Sequence, residues 1–179
     1  GTTQQHTADV DDQNKESILK LRKTKGFTLI ELMIVIAIIA IIAAIAIPNL
    51  IEARKHGNEA AAIGALKTVA SSQSLFREGD KEGDGNLDYG TLDELATQSL
   101  IDTILGTGTK QGYLFGGTYS SVTSEFLWFA VANPAMPGTT GDRYFASNNE
   151  GVTYYTTSAT VGLNSTSCIV PTTMSPIGK

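Results

Sequence analysis

The residue with the most demanding chemistry is Glu31, a carboxylate placed at the start of the most apolar part of the chain. It follows Phe27 by four positions, and an unbroken apolar run from Leu32 to Ile47 begins directly after it. An ionised carboxylate is costly in an apolar medium, and a plain membrane anchor has no use for one. Near a membrane surface that cost falls, so the position of Glu31 alone leaves the simpler interpretations open.

Residues that could form a catalytic set are hard to find after this run. His56 is the only histidine there, and the single cysteine of the chain, Cys168, has no basic residue beside it in sequence. Asp84 and Asp88 could exchange protons, but a turn-rich acidic loop gives neither the burial that would shift a pKa. We therefore predict that the protein is not an enzyme and that Cys168 is a small buried apolar residue.

An acidic loop between Gly79 and Gly90 has oxygen-bearing side chains at the spacing of an EF-hand calcium-binding loop, with glycine at the position of the sharp turn. Thr91 stands at the twelfth position, where such loops need a bidentate glutamate. A solvated acidic loop is therefore the favoured interpretation, and no other cofactor is expected. The candidate metal ligands are Asp80, Glu82, Asp84, Asn86 and Asp88.

The element that must position Glu31 is a helix of membrane length. Residues 27–50 would extend about 36 Å as an α-helix, enough to cross a bilayer core. Four basic residues precede it, and basic flanks stay in the cytoplasm, which predicts that the C-terminal part lies outside the inner membrane. These residues are Lys20, Arg22, Lys23 and Lys25.

Three interpretations of this segment compete: a plain signal anchor, a cleaved secretory signal peptide, and a more specialised signal. Ala44-Ile45-Ala46 imitates a secretory cleavage site at the end of the run, which favours the second. Glu31 argues against the first two. The whole string decides between them.

That string, KGFTLIELMIVIAIIAIIAAIAIPNL from Lys25, resembles the class III signal and N-terminal helix of type IV pilins and type II secretion pseudopilins. The resemblance extends to about Ala65 and implies that a prepilin peptidase cuts after Gly26 and that the new terminal residue, Phe27, is N-methylated. It implies further that Glu31 pairs with the methylated amine of a neighbouring subunit during assembly. A carboxylate and an ammonium that are each costly alone relieve one another when subunits dock in register.

The helix is predicted to continue beyond Pro48 to about Phe76. Pro48 lacks an amide donor, so the helix should kink or unwind locally around it, and the resemblance implies a role in assembly for this position. Downstream, apolar residues recur at helical spacing and predict a buried stripe that seats a sheet. The stripe contains Ala62, Ile63, Leu66, Val69, Ala70 and Phe76.

The rest of the chain predicts a short helix and then strands. Thr91 and Glu94 have the spacing of a capping box. Four segments rich in aromatic and β-branched residues follow, separated by turn residues, and the polar tail is expected to cover the surface. The fold class is therefore α+β: a long N-terminal helix packed by a short antiparallel β-meander, as in pilins. The four segments lie at residues 111–117, 125–136, 143–151 and 152–155.

These features divide the chain into five predicted parts. A leader (1–26) is removed, a transmembrane and polymerisation helix (27–50) and its amphipathic half (51–78) follow, and an acidic connection with a short helix (79–110) leads to the sheet and tail (111–179). The stretch before Gly26 is longer than the brief leaders of major pilins.

The resulting functional hypothesis is a structural subunit of a type IV pilus-like filament. Its partners would be other copies of itself, prepilin peptidase, an inner-membrane assembly platform and, before assembly, membrane lipid. The alternatives are a pseudopilin of a periplasmic pseudopilus and a membrane-tethered binding module that never polymerises. A net charge of −5 and a pI near 5.0 disfavour nucleic acid as partner but leave it open. Pilus adhesion, motility and DNA uptake are not distinguished.

Overall fold

A computed structural model describes residues 26–81, 83 and 85–178 of the chain. The chain divides into two compact units between Ile45 and Ala46. Three helices and six strands follow one another: α1 (Leu29–Glu78), α2 (Leu92–Thr97), α3 (Thr103–Gly106), β1 (Thr109–Lys110), β2 (Tyr113–Tyr119), β3 (Trp128–Pro134), β4 (Tyr144–Asn148), β5 (Thr153–Thr156) and β6 (Ser175–Pro176).

Helix α1 confirms the predicted long N-terminal helix. It begins two residues after Phe27 and ends two residues after Phe76. Pro48 lies inside it, and residues 47–49 are helical, so the predicted local unwinding at this point is not observed. Proline removes only one hydrogen bond of the helix, and the bonds of the flanking turns remain available to hold the backbone.

Within the second unit, α1 buries one stripe of side chains. Leu66, Val69 and Phe76 are almost fully buried, whereas Lys67 and Ser71 are exposed, as the helical periodicity predicted. The buried residues form one cluster with side chains of α2, α3 and the sheet. This stripe is therefore the surface on which the rest of the unit is built.

The connection from α1 to the sheet contains one predicted helix and one that was missed. Thr91 and Glu94 form the capping box at the start of α2, with reciprocal side chain to backbone hydrogen bonds. Helix α3 was not predicted, since it has only four residues. Asp102 caps it by accepting a hydrogen bond from the amide of Leu105 at 3.0 Å.

The sheet is a six-stranded antiparallel meander in which every strand pairs with its neighbours in the sequence. Strands β2 to β5 are the four that were predicted. The edge strands β1 and β6 have two residues each and were missed, and β1 lies inside the predicted connecting segment 79–110. The predicted α+β class is confirmed.

The two faces of the sheet are buried by different parts of the chain. Trp128, Ala130 and Ala132 belong to the cluster on α1, whereas Phe129 and Val131 belong to a second cluster on the opposite face. The alternation follows from the period of two in a strand. That second cluster is completed by the C-terminal tail, which contributes Val161, Cys168 and Met174.

The tail is therefore more than the polar surface cover that its composition predicted. It is fixed to the sheet at separate points. The side chain of Asn133 donates to the carbonyl of Val161 and accepts from its amide, both at 2.9 Å, and Ser121 donates its amide to Ser165 at 2.7 Å. Cys168 is buried, as predicted, and the tail is held without it forming a disulfide.

Candidate processing and assembly site

Among the described residues, none covers the predicted cleavage junction. Phe27 is 89% exposed, and a Cβ atom added at Gly26 would meet no other atom within 4 Å. The described residues therefore leave room for a side chain at this position. The basic residues upstream lie outside the described residues.

Glu31 caps the start of its own helix through Thr28. Its Oε2 atom accepts hydrogen bonds from the backbone amide and the hydroxyl of Thr28, both at 2.8 Å. The Thr28 hydroxyl in turn accepts from the amide of Glu31 at 3.2 Å. This reciprocal arrangement is a capping box, and it orients the carboxylate toward the N-terminal end of the helix. Among the described residues, no donor contacts Oε1.

The described part of the first unit presents an apolar surface on which no other described residue packs. Its large side chains, such as Leu32, Ile36 and Ile42, are each more than half exposed. By length and composition, α1 is the one helix in the described part of the chain that could cross a membrane. A surface of this size is not left in water, so it must be covered by lipid or by protein.

A group of charged side chains follows further along α1, after Pro48. Lys55 is buried and donates to Glu52 Oε1 at 2.9 Å and to Asp142 Oδ2 at 3.2 Å. These carboxylates raise the pKa of Lys55, the hydrogen bond to Glu52 contributing most. Glu52 is therefore engaged within the chain. His56 itself is exposed and lies 3.9 Å from Glu59.

Among the described residues of the second unit, Glu59 is the most deeply buried charge, with a side chain that is 3% exposed. Its Oε1 accepts from the backbone amides of Asp142 and Arg143, at 2.9 and 3.2 Å. Its Oε2 accepts from both Nε and a terminal nitrogen of Arg143, each at 2.8 Å. The guanidinium also lies over the rings of Phe145 and Tyr155. This bidentate pair joins α1 to the segment between β3 and β4.

The predicted calcium ligands are only partly within the described residues, because Glu82 and Asp84 lie outside them. Asp80 uses both carboxylate oxygens to accept from the amides of Gly83 and Gly85, each at 3.2 Å. No group of three potential metal ligands occurs in the part of the chain that is described. The calcium site, including Asn86 and Asp88, stays a prediction.

Sequence reasoning missed three polar residues that hold the second unit together: Glu59, Gln73 and Asn133. Gln73 is fully buried and exchanges two hydrogen bonds with the backbone of Gly90, at 2.6 and 3.0 Å. A signal for the first two was present, since both occupy positions of the buried stripe of α1 at spacings of three and four. A polar residue in a buried stripe indicates a specific partner.

Comparison with known proteins gives matches only in the N-terminal part. Residues 21–47 match the model of the prokaryotic N-terminal methylation motif. Over 57 residues, 32% of this chain, it is 51% identical to the type IV wide pilus major component PilA4 of Thermus thermophilus. Over 63 residues, 35% of this chain, it is 49% identical to the type IV major pilin protein PilA of Myxococcus xanthus. The N-terminal part is thus similar to that of type IV pilins, as predicted.

The matched regions cover 44% and 29% of these two relatives, so the chain spans less than half the length of either. No solved structure gives a significant match to the chain.

Proposed function

We propose that this protein is a structural subunit of a type IV pilus, cut between Gly26 and Phe27, N-methylated at Phe27 and polymerised through the apolar half of α1. The observation that carries the proposal is the position of Glu31. It stands one turn after Phe27, at the entrance to a helix whose apolar surface is exposed and has no partner among the described residues.

The exposed apolar surface has two environments that satisfy it. Before assembly the helix lies in the inner membrane, where the hydrocarbon core covers it. In the filament, the same surface of neighbouring copies covers it instead. Moving the helix from the membrane into the filament changes the exposure of its apolar surface very little. Polar groups must therefore fix the axial position of each subunit relative to its neighbours, which is their register.

We assign to Glu31 the role of fixing the register of neighbouring subunits. Thr28 engages only Oε2, and Oε1 has no donor among the described residues. The ammonium created at Phe27 of a neighbouring copy would complete its coordination. A docking position that brings the two together satisfies both charges, and a position displaced by one turn leaves both unpaired.

The second unit is proposed to be the part of the subunit that faces outward. Basic residues upstream of the membrane helix support a location beyond the inner membrane, and we propose that prepilin peptidase and an inner-membrane assembly platform act on the N-terminal part. Arg54 and His56, both exposed, would contact lipid headgroups before assembly. The named relatives are pilus components, which supports a structural and not a catalytic role.

The test replaces Glu31 by alanine and compares the variant with Glu52→Ala, which removes an exposed carboxylate from the same helix. We expect Glu31→Ala to insert in the membrane and to be processed normally, because it removes a charge from the apolar segment. Polymerisation should fail, since the amine of the neighbour loses its partner. Glu52→Ala should assemble as the parent does.

Membrane abundance and processing are measured by immunoblot, and filament yield by shearing and electron microscopy. Normal filaments from Glu31→Ala would contradict the pairing of charges. Loss of the inserted monomer would instead assign Glu31 to export or stability. A surface pilus recovered by shearing supports the proposal over a periplasmic pseudopilus, which shearing would not release.

A further inference from the structure

A cavity of about 480 Å³ opens on the face of the sheet that is turned away from α1. It lies between the β4–β5 turn and the tail segment 167–174, next to the second apolar cluster. Its volume is within the range of about 300–1,000 Å³ that small-molecule sites occupy. The filament function proposed above makes no use of it.

The cavity contains a buried amide with an unused donor. Asn148, at the end of β4, is 6% exposed and lines the cavity. Its Oδ1 accepts from the amide of Glu150 at 3.2 Å, which shapes the turn, whereas its Nδ2 donates to no described residue. No fully buried side-chain nitrogen or oxygen lacks a partner among the described residues, so Nδ2 retains access to solvent. Nδ2 is therefore available to donate to an acceptor that enters the cavity.

The other polar groups around the cavity are mostly neutral. Ser167 and Thr172 bring hydroxyls and Asn149 brings a second amide. Glu150 is the one carboxylate among the described lining residues, and its Oε2 already accepts from the hydroxyl of Tyr154 at 2.9 Å. This bond raises the pKa of Tyr154, which keeps the hydroxyl protonated. No lysine, arginine or histidine is among the described residues that line the cavity.

The lining also has an apolar part, contributed by Leu127, Ile169 and Met174. A ligand in the cavity therefore meets hydroxyls and amides as well as aliphatic surface. Amides and hydroxyls can each donate and accept, which matches adjacent hydroxyl groups that also do both.

We propose that this cavity binds a neutral, polyhydroxylated small molecule, a ligand of the size and chemistry of a sugar ring, with Asn148 as its central hydrogen-bond donor. Anionic ligands are disfavoured, because Glu150 repels them and no basic side chain compensates. Cationic ligands have only one carboxylate, which is already shared with Tyr154.

The binding test uses the full chain in a polyoxyethylene detergent, which carries neither charge nor sugar. The probes are the methyl glycosides of glucose, galactose and mannose, with tetramethylammonium and methyl phosphate as cationic and anionic counterparts. Saturation-transfer difference NMR, read on the C–H protons of each probe, measures binding. We expect transfer to at least one glycoside and none to methyl phosphate.

The assignment to the cavity is tested with variants. Asn148→Asp keeps the acceptor for the Glu150 amide and removes the donor, and we expect about tenfold weaker binding, as for one lost hydrogen bond. Asn164→Asp is the matched control. Asn164 also accepts from backbone amides in an exposed turn, and it does not line the cavity. It should bind as the parent does.

Two further variants keep the result decisive. If Asn148→Asp does not fold by near-UV circular dichroism, Thr172→Val removes only an exposed hydroxyl of the lining and should weaken glycoside binding severalfold. Glu150→Gln should leave glycoside binding intact. If saturation is transferred to tetramethylammonium and Glu150→Gln abolishes that transfer, the cavity binds a cation. This result would overturn the assignment of a sugar-like ligand. Absence of transfer to all three glycosides would overturn it as well, and filament formation would be unaffected in either case.

Discussion

Removal of Glu59 should destabilise the second unit more than removal of any exposed carboxylate. Glu59→Ala takes the acceptor from two backbone amides and from the bidentate guanidinium of Arg143. Breaking a buried ion pair costs about 3–5 kcal/mol, and a single hydrogen bond to a charged group is worth about 1.5–3 kcal/mol. The Arg143 side chain is 35% exposed and can be rehydrated, so the lower end of the first range applies.

The expected loss is therefore about 3 kcal/mol, or a fall in Tm of about 10 °C for a unit of this size. Thermal unfolding of the full chain in detergent, followed by near-UV circular dichroism, measures it. Glu59→Gln keeps the oxygen that accepts from the two backbone amides, but its amide NH2 faces the donors of Arg143. Because only the contacts to the amides are kept, the loss of stability should be about half that of Glu59→Ala.

The control is Glu52→Ala, whose carboxylate is mostly exposed and pairs with Lys55. Its effect should be small and should vanish in high salt, whereas the effect of Glu59→Ala should persist. A Tm for Glu59→Ala equal to that of Glu52→Ala would refute the structural role assigned to the pair.

Three further predictions concern other parts of the second unit. Gln73→Leu preserves volume but leaves the amide and carbonyl of Gly90 unpaired; we expect about 2–4 kcal/mol of destabilisation and much faster hydrogen exchange at the Gly90 amide. Asp102 has a pKa below its ordinary 3.8, held down first by Lys110 and then by the Leu105 amide, so its stabilisation is present above that value and disappears as pH falls below it. The stability difference between the parent and Asp102→Asn should accordingly be constant at neutral pH and shrink below about pH 4 in acid titrations of unfolding. Calcium should raise the Tm if the acidic loop binds it, and Asp84→Ala should abolish the rise; a Tm insensitive to chelator and calcium would eliminate the site.

Local signals made much of the fold predictable. The stripe of α1 from Ala62 to Phe76 follows from helical periodicity, and the start of α2 follows from the spacing of Thr91 and Glu94. Strands β2 to β5 follow from aromatic and β-branched residues between turn signals. These patterns act over a few residues, so the sequence displays them directly.

What escaped prediction depends on contacts between distant residues. Glu59 and Arg143 are 84 positions apart, and nothing local to either indicates the pairing. The edge strands have two residues each and no pattern of their own. The tail looked polar because its buried residues, such as Val161 and Met174, are widely spaced among polar ones. Their burial depends on a sheet face that forms only when β3 and β4 pair.

At the proposed assembly site the sequence supplied the junction and the carboxylate, and the structure added Thr28. The reciprocal bonds between Thr28 and Glu31 explain how an acidic group at the entrance to an apolar helix is oriented before a partner arrives. They also leave one carboxylate oxygen for that partner.

The most direct test of the filament model is the N-terminal residue of the protein recovered from sheared surface filaments. Mass spectrometry of its N-terminal peptide should find N-methylated Phe27, because cleavage after Gly26 preserves the whole of α1 for assembly. Filaments whose subunits begin after Ala46 would lack Glu31 and most of the apolar surface, and would contradict the model.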